Sequence, residues 1–445
     1  MKRAIKRGKS FGEAKAGKDA EAGRGTPEGI AEPVKKEIEG NSFSLSVGPV
    51  HPALKEPVRF NLEIEGEKVA KVDFEMSQAH RGIEWMGTRR NPVQIIHLAE
   101  RICGICNICH SMAFCRAVEG IAGIEVPERA QYIRTIVAEL ERIHSHILWA
   151  GVAAHELGFD SVMHYTWKMR ETILDIIEAL TGNRITKGMI MIGGVRRDID
   201  EKQAANIRQG LEFYRKGFGK LCGIFMKDPV IRARTKGIGI LSRKDALAFS
   251  AVGPTARASG VEKDVRQDEP YAAYPALDVR AITPKDALGE INGDVFDRIV
   301  VRLLEVKQSI ELIEKSLKQM PEGKIVHEEK AVKLLADLKN AKGEGIGRLE
   351  APRGEVIHYV RLVGEEAPFC WKVRAPTYNN LLPWGPMLLG AQIADVPIIA
   401  ASTDPCMSCA NRAVAVEGGN ERVFDNEAMH RLSVEKTRAL RGQLK

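Results

Sequence analysis

From Phe43 onward, apolar and polar residues alternate through three short runs, FSLSVGP, VRFNLEIEGE and KVAKVDFEM, with a Glu-Gly-Glu turn between the last two. A period of two with such a turn predicts a small antiparallel sheet. After Asn91-Pro92 the period lengthens to that of helices. Pro127 opens VPERAQYIRTIVAELERIHSHILWAGVAAHEL, where apolar residues recur every three or four positions and proline takes the first turn, in which an N–H is not needed. The same spacing predicts helices near 162–181, 200–219, 244–251, 295–319 and 329–339. A second extended stretch, GEGIGRLEAPRGEVIHYVRLV, precedes a helix near 386–393 and the polar loop STDPCMSCANR. The fold class expected is α+β and mainly α, with a central helical bundle and a small N-terminal antiparallel sheet. The helices follow one another without a linker or an internal repeat, so residues 43–412 are expected to form one domain.

The two ends have a different texture. Residues 1–42 are rich in Lys, Glu, Gly and Ala with one aromatic, Phe11, too little apolar surface to offset the entropy of ordering. They read as a disordered or partner-bound basic arm. Residues 413–445 form an extension in which EAMHRLSVEKTRAL has helical periodicity.

Composition narrows the class of protein. The 445 residues are 44% hydrophobic, enough for a large core, and no apolar run approaches the eighteen or so residues of a membrane span. The basic N-terminus lacks the apolar centre of a signal peptide, so the cytoplasm is the expected compartment. The net charge of +7 comes from 66 basic residues interleaved with 59 acidic ones. Without a nucleic-acid-binding signature, that pattern is a solvated surface and argues against DNA or RNA as partner. A basic patch could still dock on another subunit.

The cysteines carry the chemistry. In a reducing compartment, clustered cysteines point to metal or catalysis rather than disulfides. AERICGICNICHSMAFCRA holds Cys103, Cys106, Cys109 and Cys115, and the loop near the other end holds Cys406 and Cys409. Cys222 and Cys370 stand alone and are expected to be small buried hydrophobes. Two C-x-x-C pairs can supply four thiolates to one metal, although Cys106 and Cys109 make a second, overlapping pair and leave the first ambiguous. A structural zinc site would set its pairs closer together, a ferredoxin-type cluster would keep three cysteines close, and core cysteines would not sit in a polar loop.

Arg101-x-Cys103-Gly104-x-Cys106-x-x-x-His110 and Asp404-Pro405-Cys406-x-x-Cys409-x-x-Arg412 together resemble the large, catalytic subunit of nickel–iron (NiFe) hydrogenases. Arg412 in place of the family's common histidine, with GPVHP, HRGIE, ELERIHSHILWAG and IGGVRRDI, resembles the energy-converting, membrane-bound branch. That branch is similar to the large subunit of formate hydrogenlyase and to the quinone-site subunit of complex I.

The resemblance spans about 43–445 and implies the hydrogenase large-subunit fold. It implies Cys103 and Cys406 as terminal nickel ligands, Cys106 and Cys409 as bridges to iron, and carbonyl and cyanide on the iron. Cys109 and Cys115 match no ligand position. It further implies that Cys406 takes a proton when H2 is split and that Glu56 passes it outward. Arg353 would lie near one cyanide, Thr377 after Pro376 would donate to the other, Asp404 would pair with Arg353, and His110 would hydrogen-bond a bridging thiolate. Glu84 falls where relatives bind magnesium with a C-terminal histidine, here Arg412, which argues against Mg. Glu156 stands where an aspartate is common, and His51 matches a quinone-contacting histidine.

The implied partners are a small subunit with a 4Fe-4S cluster, further iron–sulfur subunits, integral antiporter-like membrane subunits, and maturation proteins including a C-terminal protease that would leave Arg412 as the mature end. The chain would then sit on the cytoplasmic side of the membrane, held through those partners. A complex-I-like or sulfur-reducing subunit on the same scaffold, and a zinc-stabilised non-catalytic subunit, are the alternatives.

Overall fold

The computed structural model describes residues 42–54, 56–76, 78–410, 415–417, 420–422 and 426–443. The N-terminal arm except Ser42, and the expected mature end at Arg412, lie outside the described residues. The fold is α+β with two small three-stranded antiparallel sheets around a helical centre.

Strands β1 (Ser42–Val47), β2 (Arg59–Glu65) and β3 (Lys68–Glu75) form the first sheet in that order. The alternation in β2 buries Phe60, Leu62 and Ile64 on one face. Phe60 and Phe74 pack on Trp384, with ring centres 5.0 and 5.4 Å away. This anchors the sheet to the C-terminal third of the chain and fixes the β1–β2 loop that carries Glu56.

The centre is built by α1 (Asn107–Ala122), α2 (Glu128–Glu156), α3 (Asp160–Thr181), α4 (Glu201–Lys227) and α5 (Val295–Gln319). Helix α2 packs against both α3 and α5, and α3 against α4. Helix α1 lies on the second sheet, β4 (Lys342–Ala351), β5 (Gly354–Val363) and β6 (Cys370–Arg374). The approach is backbone to backbone: a Cβ on Gly347 would fall 1.8 Å from the Ala113 carbonyl oxygen, so only glycine fits.

Most of the elements lie where periodicity predicts. The helix expected at 200–219 runs on to Lys227, and those near 244–251 and 329–339 are Arg243–Ala248 and Ala331–Asn340. The helix expected near 386–393 is different. A short helix spans Trp384–Leu388, the chain turns at Gly390 with φ +79°, and α6 (Val396–Ser402) follows. Helix α6 is largely buried and has the sequence VPIIAAS, so it offers no polar stripe for periodicity to find. Strand β6 was not expected either. Cys222 and Cys370 are half-buried rather than buried, because α4 and the edge strand β6 leave part of each exposed.

Helix α2 departs most from an amphipathic surface helix, since its charged residues are buried with the apolar ones. Glu139 takes Arg266 at 3.2 Å, Arg142 at 3.2 Å and the Ser309 hydroxyl at 2.5 Å. Arg257 donates to Glu305 at 2.7 Å and Glu350 at 2.8 Å, and His146 meets Glu305 at 2.9 Å. Such a network adds little net stability over an apolar core, but it accepts only one arrangement of the helices. Among the described residues, no helix is long and apolar enough to cross a membrane.

Candidate metal centre

The first cysteine loop ends at Cys106, which is the N-cap of α1, and the second follows directly from α6. Buried groups on α2 hold the first loop in place. The Glu141 carboxylate accepts from the N–H groups of Ile108 and Cys109 at 2.8 and 3.0 Å, meeting the positive end of α1. Lys187 pairs with Glu141 at 2.9 Å and also donates to the Ile105 carbonyl. Burial pushes His144 well below the usual histidine range, so its ring is neutral. Its Nδ1 accepts from Arg170, which leaves Nε2–H to donate to Ile105 at 3.3 Å. Arg81, in the HRGIE motif, donates to Arg101, Ile102 and Ser408, tying the two loops together.

The two loops bring four sulfurs into one group. Cys406 lies 3.6 Å from Cys103 and 3.2 Å from Cys409, Sγ to Sγ, and Cys103, Cys106 and Cys409 lie within 4.8 Å of one another. These separations are far beyond a disulfide bond of about 2.05 Å, and all eight cysteines are free thiols. Cys109 and Cys115 sit on α1, buried and outside the group, with burial pushing both thiols well up. Within it, Cys106, Cys406 and Cys409 all donate toward Cys103 and hold its pKa well down. The other three are pushed well up, chiefly by sharing hydrogens with Cys103.

Arg353 occupies the two-residue turn between β4 and β5, whose last pair is Ala351 opposite Gly354. It donates from Nε to the Asp404 carbonyl at 2.7 Å and from Nη2 to the Asp404 carboxylate at 3.1 Å. Its Nη1 stands 3.9 and 4.0 Å from the sulfurs of Cys106 and Cys103. The turn is pinned from behind by Gly253, where a Cβ would fall 2.4 Å from the Arg353 carbonyl oxygen. Asp404 has φ +53°, and its buried Oδ2 has no hydrogen-bond partner among the described residues. The Thr377 hydroxyl, one residue into the helix begun by Pro376, accepts from the Cys406 N–H at 3.1 Å.

Glu56 reaches in from the β1–β2 loop and accepts from the Met407 N–H, next to Cys406. Burial raises its pKa, against the pull of Arg353. Glu56, Glu156, Arg353 and Asp404 line one cavity of about 240 Å³, otherwise walled largely by apolar side chains such as Leu148 and Trp149. Two other residues singled out in the sequence lie elsewhere. His51 accepts from the Ala53 N–H and shapes the start of the same loop, and Glu84 accepts from Val373 N–H and Lys372 on β6.

His110 points Nε2 at the Cys409 sulfur, 3.7 Å away, and its Nδ1 lies 3.0 Å from His358 Nε2. His358 on β5, along with Arg81, Glu141, His144 and Lys187, escaped the sequence reading. Single charged or histidine residues in amphipathic segments carry no spacing signal, although Arg81, Glu141 and His144 fell inside quoted motifs.

A buried group of four thiols beside an arginine–aspartate pair has the donor chemistry of a site for a thiophilic transition metal. Residues 156–412 match the family described as the 49 kDa subunit of respiratory-chain NADH dehydrogenase, and residues 81–151 match that described as nickel-dependent hydrogenase. The alpha subunit of the membrane-bound hydrogenase of Pyrococcus furiosus is 47% identical over 90% of this chain and 95% of its own length. The carbon monoxide-induced hydrogenase of Rhodospirillum rubrum is 39% identical over 84% and 100%. The archaeal membrane-bound sulfane sulfur reductase contains a chain of similar structure, with a TM-score of 0.77 and 31% identity over 85% of this chain and all of that one. The chain belongs to the large-subunit family of membrane-bound nickel–iron hydrogenases, related to the 49 kDa subunit of complex I, and is a hydrogenase, an oxidoreductase.

Proposed function

We propose that this chain is the catalytic subunit of an ion-coupled, membrane-bound hydrogenase that reversibly reduces protons to H2 at a Ni-Fe centre held by Cys103, Cys106, Cys406 and Cys409. The observation that carries this reading is the convergence of four buried sulfurs from the two ends of the chain. The donor set fits the group: four buried sulfurs gathered from two loops are soft ligands of the kind that suit nickel and iron. Cys103, Cys106, Cys406 and Cys409 would together hold the nickel and the iron, the iron bearing carbonyl and cyanide. When bound, the centre supplies two-electron chemistry on hydrogen.

The remaining work falls to side chains. The Cys406 thiolate exchanges the proton with the reacting hydrogen. Glu56, bonded to the neighbouring Met407 N–H and with its pKa raised by burial, takes that proton on toward the cavity it shares with Glu156. Arg353 keeps a fixed positive charge against the sulfurs, and Asp404 holds its guanidinium in place. Thr377 and Pro376 fix the backbone of Cys406.

Electrons would arrive from a small subunit with a 4Fe-4S cluster, and integral subunits would hold the assembly on the cytoplasmic side of the membrane. The second reading, sulfur reduction, is favoured by the structural likeness to the sulfane sulfur reductase. Nickel and iron near one each per chain, infrared bands of metal-bound carbonyl and cyanide, and H2 evolution from the isolated complex are expected. Zinc alone would overturn the proposal, and sulfide production without H2 would move the chain to the sulfur-reducing class.

A further inference from the structure

Behind Cys409 runs a file of three buried rings. Trp371 Nε1 lies 3.2 Å from His358 Nδ1, His358 Nε2 lies 3.0 Å from His110 Nδ1, and His110 Nε2 lies 3.7 Å from the Cys409 sulfur. All three side chains are essentially inaccessible to solvent. Trp371 belongs to β6, His358 to β5 and His110 to α1, so the file crosses the sheet–helix contact.

The file has only one direction. An indole N–H donates and never accepts, so His358 Nδ1 must be the acceptor. A neutral His358 then carries its hydrogen on Nε2 and donates it to His110 Nδ1. A neutral His110 carries its own on Nε2, aimed at Cys409. Running the chain the other way would require His358 to accept at both nitrogens, which only an imidazolate can do. Complete burial favours neutral rings at both positions, since charging an imidazole away from water is costly.

We propose that Trp371 and His358 are positioning residues that lock the tautomer of His110 and so hold one N–H on the Cys409 sulfur. This rests on the functional reading above, in which Cys409 helps hold the two metals. A thiolate that already accepts a hydrogen bond is a weaker donor to its metals and a poorer base. The relay therefore lowers the electron density that Cys409 can give to the metals and leaves Cys406, whose sulfur meets other sulfurs but no imidazole among the described residues, as the basic thiolate. The file does its work without touching substrate.

His358→Leu removes the donor to His110, whereas His358→Gln keeps an N–H near the same place and serves as the conservative rescue. In the purified complex the infrared band of metal-bound carbonyl is expected at lower wavenumber for H358L, with nickel retained, and near the wild-type position for H358Q. An unmoved band in nickel-loaded H358L, or equal shifts in both variants, would overturn the relay. A second measurement stands apart from the metals. In the full-length chain labelled with ¹⁵N-histidine, wild-type His110 should show a pyrrole-type Nε2 and a pyridine-type Nδ1, with the pair lost or exchanged in H358L. The reverse assignment in the wild type would refute the proposal. Finding zinc alone in the wild type would instead defeat the hydrogenase reading and leave the ¹⁵N result to judge the relay.

Discussion

Glu56 and Cys109 show how position outweighs residue type. Glu56 comes before a proline in a surface-like loop, yet it is half-buried against the Met407 N–H with its pKa raised by burial, a carboxyl that holds a proton more readily than an exposed one. Glu56→Gln keeps an acceptor for that N–H but cannot relay protons. H2 evolution should fall by about 10²–10⁴-fold while nickel and the infrared bands persist, as a paired assay and spectrum would show. Cys109 is three residues from Cys106, but its backbone is tied to Glu141 and its thiol lies outside the sulfur group. Cys109→Ser and Cys115→Ser should therefore retain nickel by elemental analysis, while Cys103→Ser should lose it.

At the level of elements, the buried charges joining α2, α5 and β4 set the terms of stability. Burial alone would raise the pKa of Glu305, but Arg257 and His146 overcome it and hold the carboxyl well below its ordinary value. Its contribution is thus present above the unfolded glutamate pKa and is lost as pH falls through the lower, folded one. Arg257→Met strands Glu305 and Glu350 without their cation and should cost about 3–5 kcal/mol at neutral pH. The deficit should narrow toward acid as the carboxylates protonate, which melting curves of both proteins across pH would reveal. These charges also mark the limit of what sequence makes legible. The helix at 295–319 and the first sheet were plain from periodicity, and the paired C-x-x-C loops from spacing, because each signal is local. The charged residues of α2 read as a solvated face when they are buried, and α6, apolar on every side, gave no period at all. The contacts of Arg353, His110 and His358 depend on strands and helices meeting across some 250 residues, which no local pattern encodes.

For the whole molecule, the tail is the open question that maturation chemistry would answer. If residues 413–445 are removed once nickel is in place, the intact mass of active enzyme should end at Arg412; a full-length mass would make the helix Asn426–Gln443 a permanent part of the subunit. The separation of 303 residues between Cys103 and Cys406 has a further meaning in polymer terms. A bridge between them closes most of the described chain into a ring, and closing a flexible loop of that length costs the unfolded state roughly 5 kcal/mol of entropy. A metal held by both pairs would be a clasp as well as a reagent. Stripping it with a chelator should lower the melting temperature and raise hydrogen exchange first around α6 and the second cysteine loop. The same geometry dictates an order of events during biosynthesis: since Cys406 leaves the ribosome some three hundred residues after Cys103, the ring cannot be closed until all the helices and strands between them have been made.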